Sequence, residues 1–444
     1  MDQLPTVFAA ASGFGRAAVA VIRISGPASA RILTDLSGPL PAPRRLVLRT
    51  LRDPHTDEAL DQALVVWMPG PGTFTGEDMA ELHLHGGPAV RAAILSALAK
   101  SPGCRPAAPG DFTRRAFLNG RMDLTEAEGI ADLIEAETEA QRRQALRQLD
   151  GVLGRQVAAW RDGLIDLLAG VEAALDFSDE GDVDDDALDA ALFARARDFR
   201  DAIADALDDG RRGERLRDGF TVVLAGPPNA GKSTLLNALS RRDAAIVSPI
   251  PGTTRDVIEV RCDLGGLPVL LIDTAGLREA GDAIEAEGIR RTRARIAQAD
   301  LVLVLDAGDA APDAIALPVP TPTVLRIRTK ADLPEGRPSS EARCGDLLAI
   351  SARTGEGLDT LLAAIERHAA AAVGGGAALV TRQRHREGLT RCRDHLDRLL
   401  RGASLPELVA EDLRLAVRAL GEVAGHVGVE EMLDRLFAGF CIGK

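Results

Sequence analysis

A glycine-rich loop in the middle of the chain constrains the fold more than any other feature. Residues 226–233 read Gly-Pro-Pro-Asn-Ala-Gly-Lys-Ser, directly after the apolar run 221–225 and directly before a helical pattern that opens at Thr234. A strand, such a loop and a helix in this order are typical of the phosphate-binding loop of nucleoside triphosphatases. Glycines let backbone N–H groups converge on phosphate oxygens, and the helix N-terminus adds partial positive charge. A chance glycine-rich turn would need neither flanking element.

The last residues of this loop predict how phosphates are bound. Lys232 is expected to bridge the terminal phosphates, and the hydroxyl of Ser233 is placed to bind Mg²⁺. The loop residues predicted to contact the nucleotide are Asn229, Ala230, Gly231, Lys232, Ser233 and Thr234.

Three later segments, each at the end of an apolar run, predict that the nucleotide carries guanine. The residues are Asp273, Thr274, Ala275 and Gly276, then Thr329, Lys330, Ala331 and Asp332, then Ser351, Ala352 and Arg353. Asp273 can hold Mg²⁺ through water. Asp332 can accept hydrogen bonds from the ring N–H and the exocyclic amine of guanine, a pair of donors that adenine lacks. Four motifs in this order are similar to those of the Ras-like GTPases, so we expect GTP as the ligand.

Position 329 departs from the usual guanine-reading motif, in which asparagine stands before the lysine. With Thr329 in that place, one contact to the base and one tether between loops are both in question. We still expect GTP, but held more weakly.

Hydrolysis needs a group that this sequence does not place where Ras-type enzymes have it. The water-orienting glutamine of those enzymes is replaced by Leu277, whose apolar side chain cannot orient water. Asn229 is a candidate ligand for a monovalent cation, with carbonyl and hydroxyl groups of the loop 252–256 nearby. K⁺ there could do the work of an arginine finger. From the residues alone, an Asn229 that only braces the loop is equally consistent.

The residue pattern changes three times along the chain, and because the last change restores an earlier composition, it predicts three domains. Short strands and helical stretches alternate up to about residue 120, and a segment rich in Ala, Leu, Glu and Arg follows. Continuous apolar runs, typical of a largely parallel sheet, begin at Phe220. A helix is expected over about 188–209 and an Ala/Gly-rich linker over 370–378, after which the helical composition returns.

We therefore expect a multidomain α/β + α fold in which a Ras-like P-loop GTPase domain is inserted into a discontinuous all-α helical domain. The expected boundaries are 1–120 for an N-terminal α/β (α+β) domain, 121–216 and 369–444 for the helical domain, and 217–368 for the GTPase domain.

Composition limits the possible partners. Aromatic residues make up 3% of the chain and its net charge is −13, so neither an aromatic stacking platform nor bulk charge favours nucleic acid. Seven arginines between residues 382 and 401 could form a local patch for tRNA or a partner protein. Because Asp394 and Asp397 lie among them, solvated ion pairs are an equal alternative.

The cysteines and the apolar segments indicate the cellular compartment of the protein. The five cysteines are scattered without a CxxC pair, which favours a reducing compartment. Neither a signal peptide nor an apolar run of about 18 residues is evident. We expect a soluble, cytoplasmic protein with no membrane association.

Short motifs spread over the whole chain carry a family resemblance. They are 15–16 (GR), 23–26 (RISG), 74–78 (FTGED), 85–87 (HGG), 109–113 (PGDFT), 119–124 (NGRMDL), 252–256 (GTTRD), 273–278 (DTAGLR) and 440–444 (FCIGK). With these motifs the chain resembles the MnmE (TrmE) family of tRNA modification GTPases.

This resemblance implies a domain that binds tetrahydrofolate and dimerises at the N-terminus, and hence a homodimer. It also implies GTP hydrolysis stimulated by K⁺. With an FAD-dependent partner of the MnmG family in a heterotetramer, the wobble uridine of certain tRNAs would gain an aminomethyl or carboxymethylaminomethyl group at carbon-5. The one-carbon donor would be a tetrahydrofolate derivative, either 5-formyl- or methylene-tetrahydrofolate.

The resemblance further implies roles in the GTPase domain. The K⁺ ligands would be Asn229, Ser248, Ile250 and Thr253, and the Mg²⁺ ligands Ser233 and Thr254. Glu285 would orient the attacking water in place of the missing glutamine, although the residue pattern alone favours a solvated helix start there. The loop against the nucleotide would comprise Ser248, Pro249, Ile250, Pro251, Gly252, Thr253 and Thr254.

A folate pocket is implied as well, formed by Arg23, Glu81, Arg121 and Lys444. Basic residues would pair with the glutamyl carboxylates of folate, and the acid would meet the donor edge of the pterin. Arg121 stands where lysine is usual. Cys441 corresponds to the functionally important cysteine of the family, whereas the residue alone would be interpreted as a small buried side chain of a tail.

A second interpretation keeps the GTPase and gives up the one-carbon chemistry. In it the chain is a regulatory or ribosome-assembly GTPase that binds partners according to its nucleotide. The GTPase motifs fit both interpretations, so only the N-terminal cluster and the cysteine tail distinguish them.

Overall fold

Two units divide the chain, and each combines segments that are distant in sequence. The computed structural model describes residues 4–13, 15–176, 190–227, 229–242, 245–246, 259–273, 294–307, 323–333, 347–374, 378–401, 405–427 and 430–443. Unit 1 comprises Met1–Ala131, Leu149–Arg161 and Leu420–Lys444, and unit 2 comprises Asp132–Gln148 and Asp162–Ala419.

Unit 1 contains a six-stranded mixed sheet. Its strands are β1 (Thr6–Ala10), β2 (Ala17–Ser25), β3 (Val47–Arg52), β4 (Ala59–Met68), β5 (Met79–Gly86) and β6 (Cys104–Pro106). They lie in the order β3-β4-β5-β2-β1-β6, and only the β1–β6 pair is parallel. The helices of this region are α1 (Ser29–Ser37), α2 (Pro88–Ala99) and α3 (Asp111–Leu118).

The core of unit 1 follows from alternation along the strands. Ile22 and Ile24 of β2 and Leu82 of β5 are fully buried, while Arg23 and Glu81 between them point to the other face. Apolar side chains of α1 and α2, among them Ile32 and Ile94, pack on the buried face. Arg23 is aligned with Glu81 of β5 and with Ala9 of β1 by the strand register.

A set of longer helices follows the first sheet. They are α4 (Leu124–Glu135), α5 (Glu139–Leu149), α6 (Val152–Asp176) and α7 (Ala190–Asp218), and later in the chain α9 (Leu358–Val373), α10 (Gln383–Leu400), α11 (Pro406–Ala424) and α12 (Glu430–Ala438). Along α6 the residues Val157, Trp160, Leu164, Leu167 and Val171 are buried, at the spacing of three and four expected for one face of a helix.

Unit 2 contains a seven-stranded sheet and α8 (Lys232–Ser240). Its strands are β7 (Phe220–Ala225), β8 (Ala245–Ile246), β9 (Glu259–Leu264), β10 (Leu267–Asp273), β11 (Leu301–Asp306), β12 (Thr323–Arg328) and β13 (Leu347–Ala349). The order is β13-β12-β11-β7-β10-β9-β8. The first five strands in this order are parallel, and β9 and β8 continue antiparallel. The predicted largely parallel sheet is confirmed.

The predicted helix over 188–209 is too short, because α7 continues to Asp218. It passes through two glycines that sequence reasoning treats as helix-weakening. A Cβ on Gly213 would lie 2.0 Å from the carbonyl oxygen of Val380, and one on Gly210 would lie 3.1 Å from its side chain. Close packing against the segment around Val380 therefore requires glycine at 213 and leaves little room for a side chain at 210.

The predicted linker over 370–378 also begins too early. Residues 370–373 form the last turn of α9, and the helix ends at Gly374, whose φ is +68°. Alanine is the strongest helix former, so the Ala-rich run extends the helix until a glycine can take the left-handed conformation.

The fold class predicted from the sequence is confirmed: sheet and helix regions alternate as expected for a multidomain protein with a P-loop GTPase domain. Over the residues that the structure describes, none of the helices is both long enough and apolar enough to cross a membrane. The described cysteines, Cys104, Cys262, Cys392 and Cys441, are free thiols.

Candidate functional site

The phosphate-binding loop connects β7 to α8. Gly231 has φ +89° and caps the helix, a left-handed conformation that glycine adopts without strain. The Nζ of Lys232 lies 2.8 Å from the carbonyl oxygen of Gly226 and 2.9 Å from that of Pro227, so the lysine curls back over the loop. A cation and the N-terminus of a helix thus converge here, which is the arrangement that binds phosphate.

A hydroxyl and a carboxylate meet beside the loop. Ser233 Oγ donates to Asp273 Oδ2 at 2.7 Å, and the side chain of Asp273 is 1% exposed at the end of β10. Oxygen ligands of this kind suit Mg²⁺, which keeps several waters and takes one or two protein groups. The two residues named for magnesium in this part of the chain therefore fit the ion.

The segments predicted to read the base lie at the ends of β12 and β13. Ser351 Oγ donates to Asp332 Oδ1 at 2.7 Å, and the backbone N–H of Ala331 donates to Ile350 at 3.0 Å. The hydrogen bond from Ser351 holds the pKa of Asp332 below its usual value of 3.8. The hydrogen bond thus holds the carboxylate in one orientation and favours its ionised form, which is the form that could accept two hydrogen bonds from guanine.

Asparagine at position 329 would contact the base and tether two loops, and Thr329 retains the tether. Its buried hydroxyl lies 2.8 Å from the carbonyl oxygen of Ala230 in the phosphate-binding loop. The tether between the two loops therefore exists despite the missing asparagine.

Several predicted residues lie outside the described residues. They are Ser248, Pro249, Ile250, Pro251, Gly252, Thr253, Thr254, Thr274, Ala275, Gly276, Glu285 and Lys444. Of the predicted K⁺ ligands, the structure describes Asn229, which is exposed in the loop with φ +64°.

The second polar cluster lies on the six-stranded sheet of unit 1. Arg23 Nε donates to Glu81 Oε1 at 3.0 Å, and His83 Nε2 lies 3.4 Å from Glu81 Oε2. The guanidinium of Arg23 also lies 5.6 Å from the ring centroid of Phe74 and 5.9 Å from that of Phe112. A charged pair beside two aromatic rings can bind a flat ligand that carries both donors and carboxylates.

Arg121 borders the same loop as Arg23. A Cβ on Gly76 would lie 3.3 Å from Cγ of Arg121, and Asn119 Nδ2 donates to the carbonyl oxygen of Thr75 at 2.7 Å. The structure therefore places both arginines against the 73–77 loop, Arg23 at Phe74 and Arg121 at Gly76.

Sequence reasoning missed the buried arginine that supports this loop. Arg115 of α3 is 3% exposed in its side chain and donates to Glu77 Oε2 at 2.8 Å and to the carbonyl oxygen of Pro5 at 2.6 Å. Ser25 Oγ donates to the same oxygen of Glu77 at 2.8 Å. The signal in the sequence that could have revealed Arg115 is an arginine on the apolar face of a short amphipathic helix.

The C-terminal tail packs within unit 1 against the end of β1. This strand pairs with β2, which carries Arg23. The N–H of Gly110 donates to the carbonyl oxygen of Cys441 at 3.5 Å, while the thiol-bearing residue itself is exposed. Phe440 is buried against Phe437. Gly443, with φ +98°, lies directly against the backbone of residues 10–11 at the end of β1.

The arginine-rich stretch from 382 to 401 is largely engaged in ion pairs within unit 2. The pairs are Arg382 with Asp132, Arg386 with Glu214, Arg393 with Asp394, and Arg398 with Asp412. This geometry favours the ion-pair interpretation over a tRNA patch, because paired guanidinium groups offer less charge to phosphates.

Comparison with known proteins identifies the relatives of this chain. The family described as "MnmE helical domain" matches residues 124–441, and "GTP-binding protein TrmE N-terminus" matches residues 6–121. The tRNA modification GTPase MnmE of Methylorubrum populi is 71% identical over 451 residues, covering 100% of both chains. The protein of the same name from Methylobacterium radiotolerans is 67% identical over 446 residues, again covering 100% of both chains.

Among solved structures, the G domain of the FeoB iron transporter of T. maritima aligns with 34% of this chain and 98% of its own. The identity is 26% and the TM-score is 0.24, so the family assignment rests on the sequence relatives.

Proposed function

Because the chain belongs to the MnmE family of tRNA modification GTPases, we propose that it hydrolyses GTP at the Lys232 loop and modifies tRNA with groups held in unit 1. The observation that carries the GTPase half is the convergence of Lys232, Ser233 and Asp273 at the carboxyl ends of parallel strands. Lys232 contacts the terminal phosphates, and Asp332 reads guanine.

Hydrolysis, in this proposal, depends on ions at the phosphates. Ser233 and Thr254 bind Mg²⁺, with Asp273 holding it through water, and Asn229, Ser248, Ile250 and Thr253 bind K⁺. The K⁺ would supply positive charge to the transferring phosphate, as an arginine finger does elsewhere. Glu285 orients the attacking water. The support is an apolar Leu277 at the usual glutamine position and an exposed Asn229 inside the phosphate loop.

The ion proposal is tested by exchanging salts. Replacing K⁺ with Na⁺ at constant ionic strength is expected to lower the GTPase rate strongly, since the smaller ion does not match the same ligand cage. Multiple-turnover phosphate release measures the rate. Equal rates in both salts would remove K⁺ from the mechanism.

We propose that unit 1 binds a tetrahydrofolate derivative, 5-formyl- or methylene-tetrahydrofolate, which supplies the one-carbon unit. Arg121 and Lys444 pair with the carboxylates of the glutamyl tail. Arg23 and Glu81, joined at 3.0 Å, both contact the pterin, where Glu81 accepts from the donor edge and Arg23 donates to a ring acceptor. The support is the half-buried Arg23–Glu81 pair beside Phe74, with the cysteine tail packed on the adjoining strand. Cys441 acts in the transfer to carbon-5 of the wobble uridine.

Further parts of the proposal concern organisation. The domains are 1–120, 121–216, 217–368 and 369–444, with the first domain forming a homodimer. An FAD-dependent partner of the MnmG family completes a heterotetramer in the cytoplasm. The free thiols described above agree with a reducing compartment.

The modification proposal is tested with Cys441→Ser. We expect wobble-uridine products to disappear while GTP hydrolysis continues, because Cys441 lies in unit 1 and the phosphate loop in unit 2. Mass analysis of tRNA nucleosides measures the products, and Cys104→Ser, a half-buried thiol of the same unit, is the matched control. Normal products from Cys441→Ser would remove the cysteine from the reaction.

Absence of folate binding together with binding to ribosomal particles would favour a ribosome-assembly GTPase instead.

A further inference from the structure

The hydroxyl of Thr329 has a single proton, and the structure directs it to the phosphate-binding loop. Thr329 Oγ1 lies 2.8 Å from the carbonyl oxygen of Ala230 and 3.3 Å from that of Asp306. A hydroxyl donates one hydrogen bond at a time, and the shorter contact to Ala230 has the better distance. The side chain is also closed off, because the residue is 4% exposed.

The backbone holds Thr329 in this position. Its N–H donates to the carbonyl oxygen of Asp306 at 2.8 Å, which continues the β11–β12 pairing by one residue. On the other side, a Cβ on Gly231 would lie 3.8 Å from Thr329 Oγ1. The hydroxyl is thus enclosed by the loop that it braces and cannot turn toward a base without breaking that contact.

Guanine has more hydrogen-bond acceptors than this site has donors to contact them. In the proposed placement, the carboxylate of Asp332 takes the ring N–H and the exocyclic amine, and the backbone of 351–353 faces O6. The acceptor that remains on the five-membered ring is N7. A side chain reads N7 only by donating a hydrogen bond to it. An asparagine amide has two N–H groups and could serve both a loop carbonyl and N7, whereas Thr329 has already used its only one.

We propose that Thr329 is a positioning residue that braces the phosphate-binding loop, and that this protein does not read N7 of guanine. It follows that 7-deazaguanine nucleotides are accepted as well as guanine nucleotides. The inference rests on the proposed placement of the base against Asp332.

The experiment compares GTP with 7-deaza-GTP by equilibrium binding to the full-length protein, in which a C–H replaces N7 of the second nucleotide. For the natural chain we expect affinities within about twofold of each other, since no hydrogen bond is lost. For Thr329→Asn we expect discrimination against 7-deaza-GTP by about fivefold, the effect of one net hydrogen bond. Discrimination of about fivefold or more by the natural chain would overturn the inference.

Two further variants separate the bracing role from base reading. Thr329→Val removes the hydroxyl at constant shape, so both nucleotides should weaken by the same factor of about five, and Thr329→Ser should restore binding. Thr221→Val is the control. It makes the same change near the start of β7, away from the phosphate-binding loop, where the hydroxyl lies 3.5 Å from the carbonyl oxygen of Gly219, and it should leave both affinities unchanged. Binding unaltered in Thr329→Val would show that the tether contributes nothing.

The placement of the base is checked independently with Asp332→Asn. A shift of preference from GTP to xanthosine triphosphate supports the placement, because the amide donates where the carboxylate accepts. No shift would overturn both the placement and the inference. A shift combined with strong discrimination against 7-deaza-GTP by the natural chain would overturn the inference alone.

Discussion

The nucleotide-binding edge of the seven-stranded sheet and the Arg23–Glu81 cluster of the six-stranded sheet are assembled in different ways. At the nucleotide edge each group belongs to a short segment directly after a parallel strand: Lys232 after β7, Asp273 at the end of β10, Asp332 after β12. In unit 1 the ion pair joins residues 58 positions apart, in the middle of two antiparallel strands.

This difference determines what holds each site together. Parallel strands bring their carboxyl ends to one edge regardless of fine register, so a local loop conformation places the functional group. In the antiparallel sheet, a slip of one residue would turn Arg23 to the buried face, where Ile22 and Ile24 now pack. The first site therefore depends on loop geometry, and the second depends on register and on the tail that packs beside it.

The largest effect is expected for Lys232→Ala, which removes the cation of the loop-dependent site. We expect the GTPase rate to fall by about 100- to 1000-fold, the typical effect of losing one group that stabilises transition-state charge. Arg241→Ala is the matched control, because it removes an exposed cation at the opposite end of the same helix. Phosphate release measures both, and a loss below about tenfold in Lys232→Ala would contradict the assignment.

Arg23→Ala tests the register-dependent site. Loss of a charge-assisted hydrogen bond is expected to weaken binding of 5-formyl-tetrahydrofolate by about 10- to 100-fold. Arg52→Ala breaks an exposed ion pair with Asp57 in the same sheet and should leave the affinity unchanged. Isothermal titration calorimetry measures the dissociation constants. Equal affinities in the two variants would show that Arg23 does not contact the ligand.

Gly443→Ala tests the contribution of the tail. At φ +98° a new Cβ would lie 2.2 Å from the carbonyl oxygen of Ala10, so the tail must shift away from β1. We expect folate binding to weaken by about three- to tenfold, corresponding to roughly 1 kcal/mol. Gly103→Ala has a similar left-handed strain at φ +72° but open space around the new methyl group, so calorimetry should show no loss. An equal loss of folate affinity in both variants would mean that the tail does not shape the site.

Ser351→Ala is expected to have the smallest effect and concerns pH. The hydrogen bond from Ser351 lowers the pKa of Asp332, so its removal raises that pKa toward 3.8. In the proposed placement of guanine, GTP binding needs the ionised carboxylate and should be lost as pH falls through this pKa. The variant should therefore match the natural chain within about twofold from pH 7 down to about pH 4.5, and fall increasingly below it only as the pH drops toward and below 3.8.

Nucleotide binding measured across this pH range checks the result. Ser240→Ala is the control, because its hydroxyl donates to the carbonyl oxygen of Asn237 within the same helix. Parallel pH profiles for Ser351→Ala and the natural chain would show that the hydrogen bond does not affect the base-reading carboxylate.

The sequence by itself determined the features that depend on local backbone chemistry. The strand, the glycine loop and the helix around Lys232 could be predicted because a phosphate-binding loop needs glycines where backbone N–H groups converge and a lysine at the start of the helix. The fold class followed in the same way, since buried parallel strands require continuous apolar runs. The family was recognised from short motifs whose residues stand side by side in the chain.

Only the tertiary structure decided which partners the long polar side chains find. Arg382 pairs with Asp132, 250 positions away, and Arg115 supports Glu77 across the fold. The tether from Thr329 to Ala230 spans 99 positions. A threonine hydroxyl or a guanidinium can satisfy its hydrogen bonds in many local settings, so its partner depends on which elements pack together, and no local pattern records that packing.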